Sequence, residues 1–161
     1  MSGRPRRVAI ALGSNLGDRR ANLRYGVTQL GRLLSDLRVS AFVDTAPHGV
    51  GPDQPRFLNA VVVGWSTEPP PALLSQLRAI EDARGRERPF PGAPRTLDLD
   101  LIIVGEESVS TDELVVPHPR FRDRRFVLGP LASIAPGLVD PVTGLTARAL
   151  LGRLETSLLE S

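Results

Sequence analysis

Neither cysteine nor lysine occurs anywhere in this chain of 161 residues. The first absence excludes disulfides, thiolate catalysis and cysteine-bound zinc. The second excludes a P-loop lysine and a Schiff-base lysine, because all 20 basic residues are arginine. Long apolar runs are missing too, and none approaches the ~20 residues of a membrane helix. With 41% hydrophobic residues and a mean hydropathy of -0.06, a soluble chain without a membrane partner is expected. The apolar run Val8 to Leu12 is shorter than the ~7 to 15 residues of a signal-peptide core, so export is not expected and a cytoplasmic location fits. The pI near 10.3 suggests nucleic-acid binding. The net charge is only +2, however, since arginine's high pKa inflates the pI, and no nucleic-acid partner is expected. The length suits one domain spanning 1–161.

What is present reads as alternating strands and helices. Val8 to Leu12, ended by Gly13, suits a buried strand. Asp18 can cap a helix in which Leu23, Val27, Leu30 and Leu34 recur at helical spacing. Leu37 to Thr45 reads as a second strand, followed by a Pro/Gly-rich loop from Ala46 to Pro55. Phe57 to Trp65 is a valine-rich third strand. A proline triplet opens a helix carrying Leu73, Leu77 and Ile80 that stops at Gly85. Arg86 to Pro94 is a loop long enough to be functional, and Arg95 to Val104 is a fourth strand. Residues 105–125 read as mostly irregular, with helices over Phe126 to Ile134 and Ala147 to Leu159. The order βαββαβ predicts a ferredoxin-like α+β domain with an antiparallel sheet. Its two helices would pack on one face and the additional C-terminal helices on the other.

Three constellations interrupt these patterns. In a strand, residues two apart point the same way, so Asp98 and Asp100 share a face with Ile102 and Val104, opposite Leu97, Leu99 and Leu101. An exposed half-strand would explain the acids. A buried pair would instead need a cation, and Mg²⁺ prefers carboxylate, water and phosphate oxygens. Arginines flank the pair on both sides: Arg84, Arg86, Arg88 and Arg95 before it, Arg120, Arg122, Arg124 and Arg125 after it. Singly each suits a solvated surface, but metal plus guanidinium is how a site neutralises a polyphosphate. On the valine-rich strand Asn59 breaks the stripe of Phe57, Val61, Val63 and Trp65. Asn59 could bond a neighbouring loop, or the edge of a flat heterocycle stacked on Phe57. Glu81 ends an apolar helix face, where a salt bridge to Arg84 or Arg88 is the ordinary expectation. Pro117-His118-Pro119 is either a rigid turn or a phosphate contact.

Gly-Ser-Asn-Leu-Gly at 13–17, Gln-Pro-Arg-Phe-Leu-Asn-Ala at 54–60, Pro-Arg-Thr-Leu-Asp-Leu-Asp-Leu at 94–101, Pro-His-Pro-Arg at 117–120 and Arg-Arg-Phe-Val-Leu-Gly-Pro-Leu at 124–131 occur in that order. Together they closely resemble the 6-hydroxymethyl-7,8-dihydropterin pyrophosphokinases of folate biosynthesis. The resemblance implies ATP- and Mg²⁺-dependent transfer of pyrophosphate to the pterin hydroxymethyl oxygen, with release of AMP. By the same resemblance Asp98 and Asp100 hold two Mg²⁺ ions, and Arg86 and Arg95 act from a catalytic loop. Glu81, Arg88, Leu101, His118 and Arg124 match nucleotide-site positions. Gly13, Thr45, Pro47, Phe57, Asn59 and Phe126 match the pterin side. The partners implied are small molecules, and a monomer is expected. Two departures stand out. Pro89 to Ala93 replaces a stretch where many members carry an arginine and an aromatic ring, and Arg78 and Glu113 stand where some carry a glutamine and an arginine. Altered ATP affinity is the expected consequence. A palm-like two-metal nucleotidyltransferase is the rival enzyme, although it has no need of Phe57, Asn59 and Phe126. A non-catalytic binding module of the same fold would have no need of Asp98 and Asp100.

Overall fold

The computed structural model describes residues 3–45, 56–85 and 96–160. Strand β1 spans Arg6–Ser14 and helix α1 spans Arg19–Leu33. The Asp18 carboxylate accepts from the Ala21 N–H at 3.1 Å, capping α1. The expected second strand is instead two, β2 at Ser35–Val39 and β3 at Val43–Thr45, both paired with β4 at Phe57–Ser66. Residues 40–42 separate them. There the Ser40 side chain takes over a ladder role, accepting from the Val61 N–H at 2.9 Å. Helix α2 spans Pro70–Ala83, and Gly85 turns the chain out of it at φ 87°.

Strand β5 covers Asp98–Val104 and pairs antiparallel with β1, while β1 pairs antiparallel with β4. The sheet order is β2-β4-β1-β5 with β3 also on β4, so β5 is an edge. This is the expected α+β arrangement. One detail differs: the β1–β5 register shifts between Ala9 and Ile10, leaving Ile102 as an extra residue on β5. That bulge turns Ile102 and Ile103 to the same side and returns Val104 to the face of Leu97, Leu99 and Leu101. Val104 therefore does not share a face with Asp98 and Asp100.

Residues 105–125, expected to be mostly irregular, contain a small ladder of β6 (Val109–Ser110) and β7 (Val115–Val116) and a 3-10 turn at Phe121–Asp123. Helices α3, Arg125–Ile134, and α4, Ala147–Glu160, follow. Two apolar clusters sandwich the sheet. Leu23, Leu30, Leu73 and Leu77 of α1 and α2 pack on Val8, Ile10, Leu12 and Val62. Val127, Leu128, Leu131 and Leu150 of α3 and α4 pack on Ala9, Ala11, Val61 and Val63. Each fully buried leucine contributes about 1.5–3 kcal/mol, so both layers hold the sheet against its helices. No helix among the described residues is long and apolar enough to cross a membrane.

Candidate active site

The registers place the chemistry in rows across the sheet. Gly13 on β1 pairs with Asn59 on β4 and with Asp98 on β5. One step along, Ala11 pairs with Val61 and with Asp100. Asn59 and the two acids therefore project from the same face of the sheet. Two strand spacings, about 10 Å, separate Asn59 from Asp98. Gly13 lies between them, and a Cβ there would stand 3.2 Å from Asn59 Oδ1 and 3.6 Å from a Phe57 ring carbon. A side chain at 13 would crowd Asn59 and touch the Phe57 ring.

On the β4 side Asn59, 7% exposed, donates from Nδ2 to Thr45 Oγ1. The predicted loop partner of Asn59 is thus a strand neighbour on β3. Thr45 also lines a cleft of about 540 Å³ with Ala41, Val43, Phe126, Gly129 and Pro130. The Arg124 guanidinium lies 5.8 Å from the Phe126 ring centroid. Thr45, Phe57, Asn59, Gly13 and Phe126 are thus gathered around one region, and Pro47 lies outside the described residues.

On the β5 side a cleft of about 330 Å³ is bordered by Arg78, Glu81, Asp98, Asp100, Leu101 and His118, with Asp112 and Glu113 at its mouth. Asp98 and Asp100 are half-buried. His118 is fixed twice: its N–H donates to the Ile102 carbonyl at 2.9 Å, and its Nδ1 accepts from the Arg120 N–H at 3.1 Å. With Nδ1 accepting, the neutral ring carries its proton on Nε2. Burial lowers the His118 pKa below its ordinary value, Arg124 and Arg120 push the same way, and Asp98 opposes them. The ring is consequently a neutral donor at pH 7.

Glu81 is 4% exposed, and its Oε2 accepts from the Leu99 N–H at 2.7 Å. Arg84 does not meet it as expected. Its Nε donates to Asn22 Oδ1 at 2.9 Å and its guanidinium lies 4.9 Å from the Tyr25 ring centroid. Asn22 also donates to Ser14 Oγ and to the Leu16 carbonyl. This buried hub ties the turn after Gly13 to the end of α2. Asn22, lying four residues after the capping Asp18, carried no sequence signal that would have found it.

Arg122 likewise leaves the expected phosphate-neutralising cluster. It makes two hydrogen bonds to the fully buried Asp140, at 2.5 and 2.9 Å. Burial raises the Asp140 pKa, but bonds from Arg122, Thr143 and the Val142 N–H outweigh that and hold the carboxyl below its ordinary value. Arg125 pairs with Glu155 at the surface. Arg86, Arg88 and Arg95 lie outside the described residues. No group of three or more potential metal ligands occurs among the described residues.

An antiparallel α+β sheet that sets a carboxylate pair beside a heterocycle-sized cleft has the architecture of an enzyme transferring a phosphorus group to a small molecule. A family model described as 7,8-dihydro-6-hydroxymethylpterin-pyrophosphokinase matches residues 9–136. A 2-amino-4-hydroxy-6-hydroxymethyldihydropteridine pyrophosphokinase of Bacillus subtilis is 42% identical over 127 residues, covering 78% of this chain and 75% of the relative. One of Methylorubrum extorquens is 41% identical over 157 residues, covering 96% and 97%. A mitochondrial folate synthesis bifunctional protein of Arabidopsis thaliana is 43% identical over 134 residues, and the chain covers 24% of its length. In structure, Plasmodium falciparum HPPK-DHPS crystallised with pteroate matches with a TM-score of 0.77 at 13% identity, over 100% of this chain and 44% of that one. The chain belongs to the 7,8-dihydro-6-hydroxymethylpterin pyrophosphokinase family. The palm-like nucleotidyltransferase reading gives way to it.

Proposed function

We propose that the chain transfers the pyrophosphoryl group of ATP to the hydroxymethyl oxygen of 6-hydroxymethyl-7,8-dihydropterin and releases AMP. It would do so as a single domain over 1–161, a cytoplasmic monomer serving folate biosynthesis. The observation that carries this reading is the row Asn59–Gly13–Asp98, which sets a heterocycle-binding amide and a charge-binding carboxylate on one face.

Asp98 and Asp100 fit Mg²⁺ by the chemistry of the donor set. Mg²⁺ takes one or two carboxylates and fills the remaining positions with water and substrate phosphates; two half-buried acids lining one cleft suit that habit. When bound, two Mg²⁺ ions would neutralise the triphosphate and polarise the phosphate under attack.

The chain's own residues do the rest. Asn59, with the backbone of Thr45 and Pro47, holds the polar edge of the pterin, while Phe57 and Phe126 cover its faces and Gly13 leaves room beneath. His118, donating from Nε2, and Arg124 meet the nucleotide phosphates, with Arg88 and Leu101 completing that side, while Glu81 stands behind them bonded to the Leu99 N–H. Arg86 and Arg95 neutralise charge as it develops. The hydroxymethyl oxygen attacks the β-phosphorus. The bond from β-phosphorus to the AMP oxygen breaks, its electron pair leaves with AMP, and the hydroxyl proton passes to solvent. Positioning and charge neutralisation suffice, so the site needs no strong base.

Incubating the protein with ATP, Mg²⁺ and the hydroxymethyl dihydropterin tests the reading. AMP and a pterin diphosphate in equal amounts are expected. ADP in place of AMP would mean single-phosphoryl transfer and a different reaction.

A further inference from the structure

Strand β5 is the edge of the sheet, so one side of its backbone has no partner strand. The backbone groups of such an edge must find partners other than a strand, and β5 carries both acids. The Leu99 N–H, between Asp98 and Asp100, is turned away from β1 and donates to Glu81 Oε2 at 2.7 Å. Glu81 comes from the last turn of α2, whose Leu73, Leu77 and Ile80 are buried under the same sheet face as Leu97, Leu99 and Leu101. Although Glu81 borders the cleft, it is only 4% exposed. Little of its carboxylate is available to a solute, and one oxygen is committed to the strand.

We propose that Glu81 is a positioning residue: it fastens the β5 backbone midway between Asp98 and Asp100 and so fixes the separation and aim of the two carboxylates. The inference rests on the reading of those acids as Mg²⁺ ligands. It differs from a nucleotide contact in what Glu81 must supply, which is a hydrogen-bond acceptor rather than a negative charge. Glutamine can therefore replace it and an apolar residue cannot. A buried N–H left without its acceptor costs enough to weaken the held geometry roughly tenfold.

The test uses the full chain with Mn²⁺ as the probe metal, counted by its electron-spin resonance in the presence of a non-hydrolysable ATP analogue. Glu81→Leu should weaken Mn²⁺ binding roughly tenfold and Glu81→Gln by less than about twofold. In EDTA the affinity of either variant for the analogue alone should equal that of the unaltered protein. If Glu81→Gln falls as far as Glu81→Leu, or both lose metal-free nucleotide affinity, the positioning role is overturned and Glu81 acts by charge or by touching the nucleotide. If the unaltered protein holds no Mn²⁺ beside the analogue, the metal reading itself falls and takes this inference with it. Amide exchange in the unaltered protein needs no variant. The Leu99 N–H should be protected despite its place on the outer edge, and rapid exchange there would contradict the role.

Discussion

On the β4 side of Gly13 the amide is neutral, buried and already bonded, Asn59 to Thr45, and Val43, Phe126, Gly129 and Pro130 line the adjoining cleft together with Arg125 and Ser133. On the β5 side Asp98 and Asp100 are charged, half-exposed and on a sheet edge, and they line the smaller cleft beside the neutral His118. The contrast follows from what each half must hold. A flat heterocycle is bound by shape and a few fixed hydrogen bonds, which a rigid dry pocket supplies. A triphosphate with its cations brings high charge and its own water, so acids sealed in a core would serve it badly.

Each half can be altered on its own. The largest effect is expected for Asp98→Ala or Asp100→Ala: turnover should fall on the order of a thousandfold or more while circular dichroism and pterin binding persist. Near-normal turnover in either variant would remove the β5 half. Next comes Arg122→Ala, which leaves Asp140 buried without its cation. Unfolding free energy should drop by about 3 kcal/mol, measured by urea denaturation, with KM for ATP unchanged. A raised KM would return Arg122 to the phosphate cluster.

Asn59→Ala should weaken pterin binding by about 1–3 kcal/mol in calorimetry and leave the ATP analogue unaffected. Equal losses for both ligands would mean that the halves are not separate. Gly13→Ala should cost several-fold in pterin affinity through the contact at 3.2 Å with Asn59, and no change would show that the floor has spare room. The smallest effect concerns His118. Its depressed pKa means that the folded state resists protonation while the unfolded state does not. The stability it contributes is present above about pH 6.5, the unfolded value, and is lost as pH falls through the lower folded value. An NMR titration should give a midpoint below the ordinary histidine value, and a midpoint above it would contradict the burial of the ring.

Strands and helices were legible where one period ruled, as in β4 and α2. The acids of β5 stood out because alternation with leucine forces them onto one face. The bulge at Ile102 was illegible because aliphatic residues fill both faces there, so a slipped register leaves the hydrophobic pattern intact. The break between β2 and β3 carries no glycine or proline, and its signal, the Ser40 side chain bonding Val61, is tertiary. For the same reason Arg84 and Arg122 looked available for phosphate. Their partners, Asn22 and Asp140, lie 62 and 18 residues away. Asn59 was visible as an intruder in an apolar stripe, whereas its bond to Thr45 required β3 to be placed beside β4.

The two halves meet across Gly13. Mn²⁺ bound with an ATP analogue should shorten the relaxation of a ¹³C-labelled hydroxymethyl carbon on the bound pterin, with a strength matching a separation of about 10 Å or less, the span of two strand spacings. Relaxation no faster than in a diamagnetic Mg²⁺ control would put the pterin elsewhere on the molecule and contradict the account.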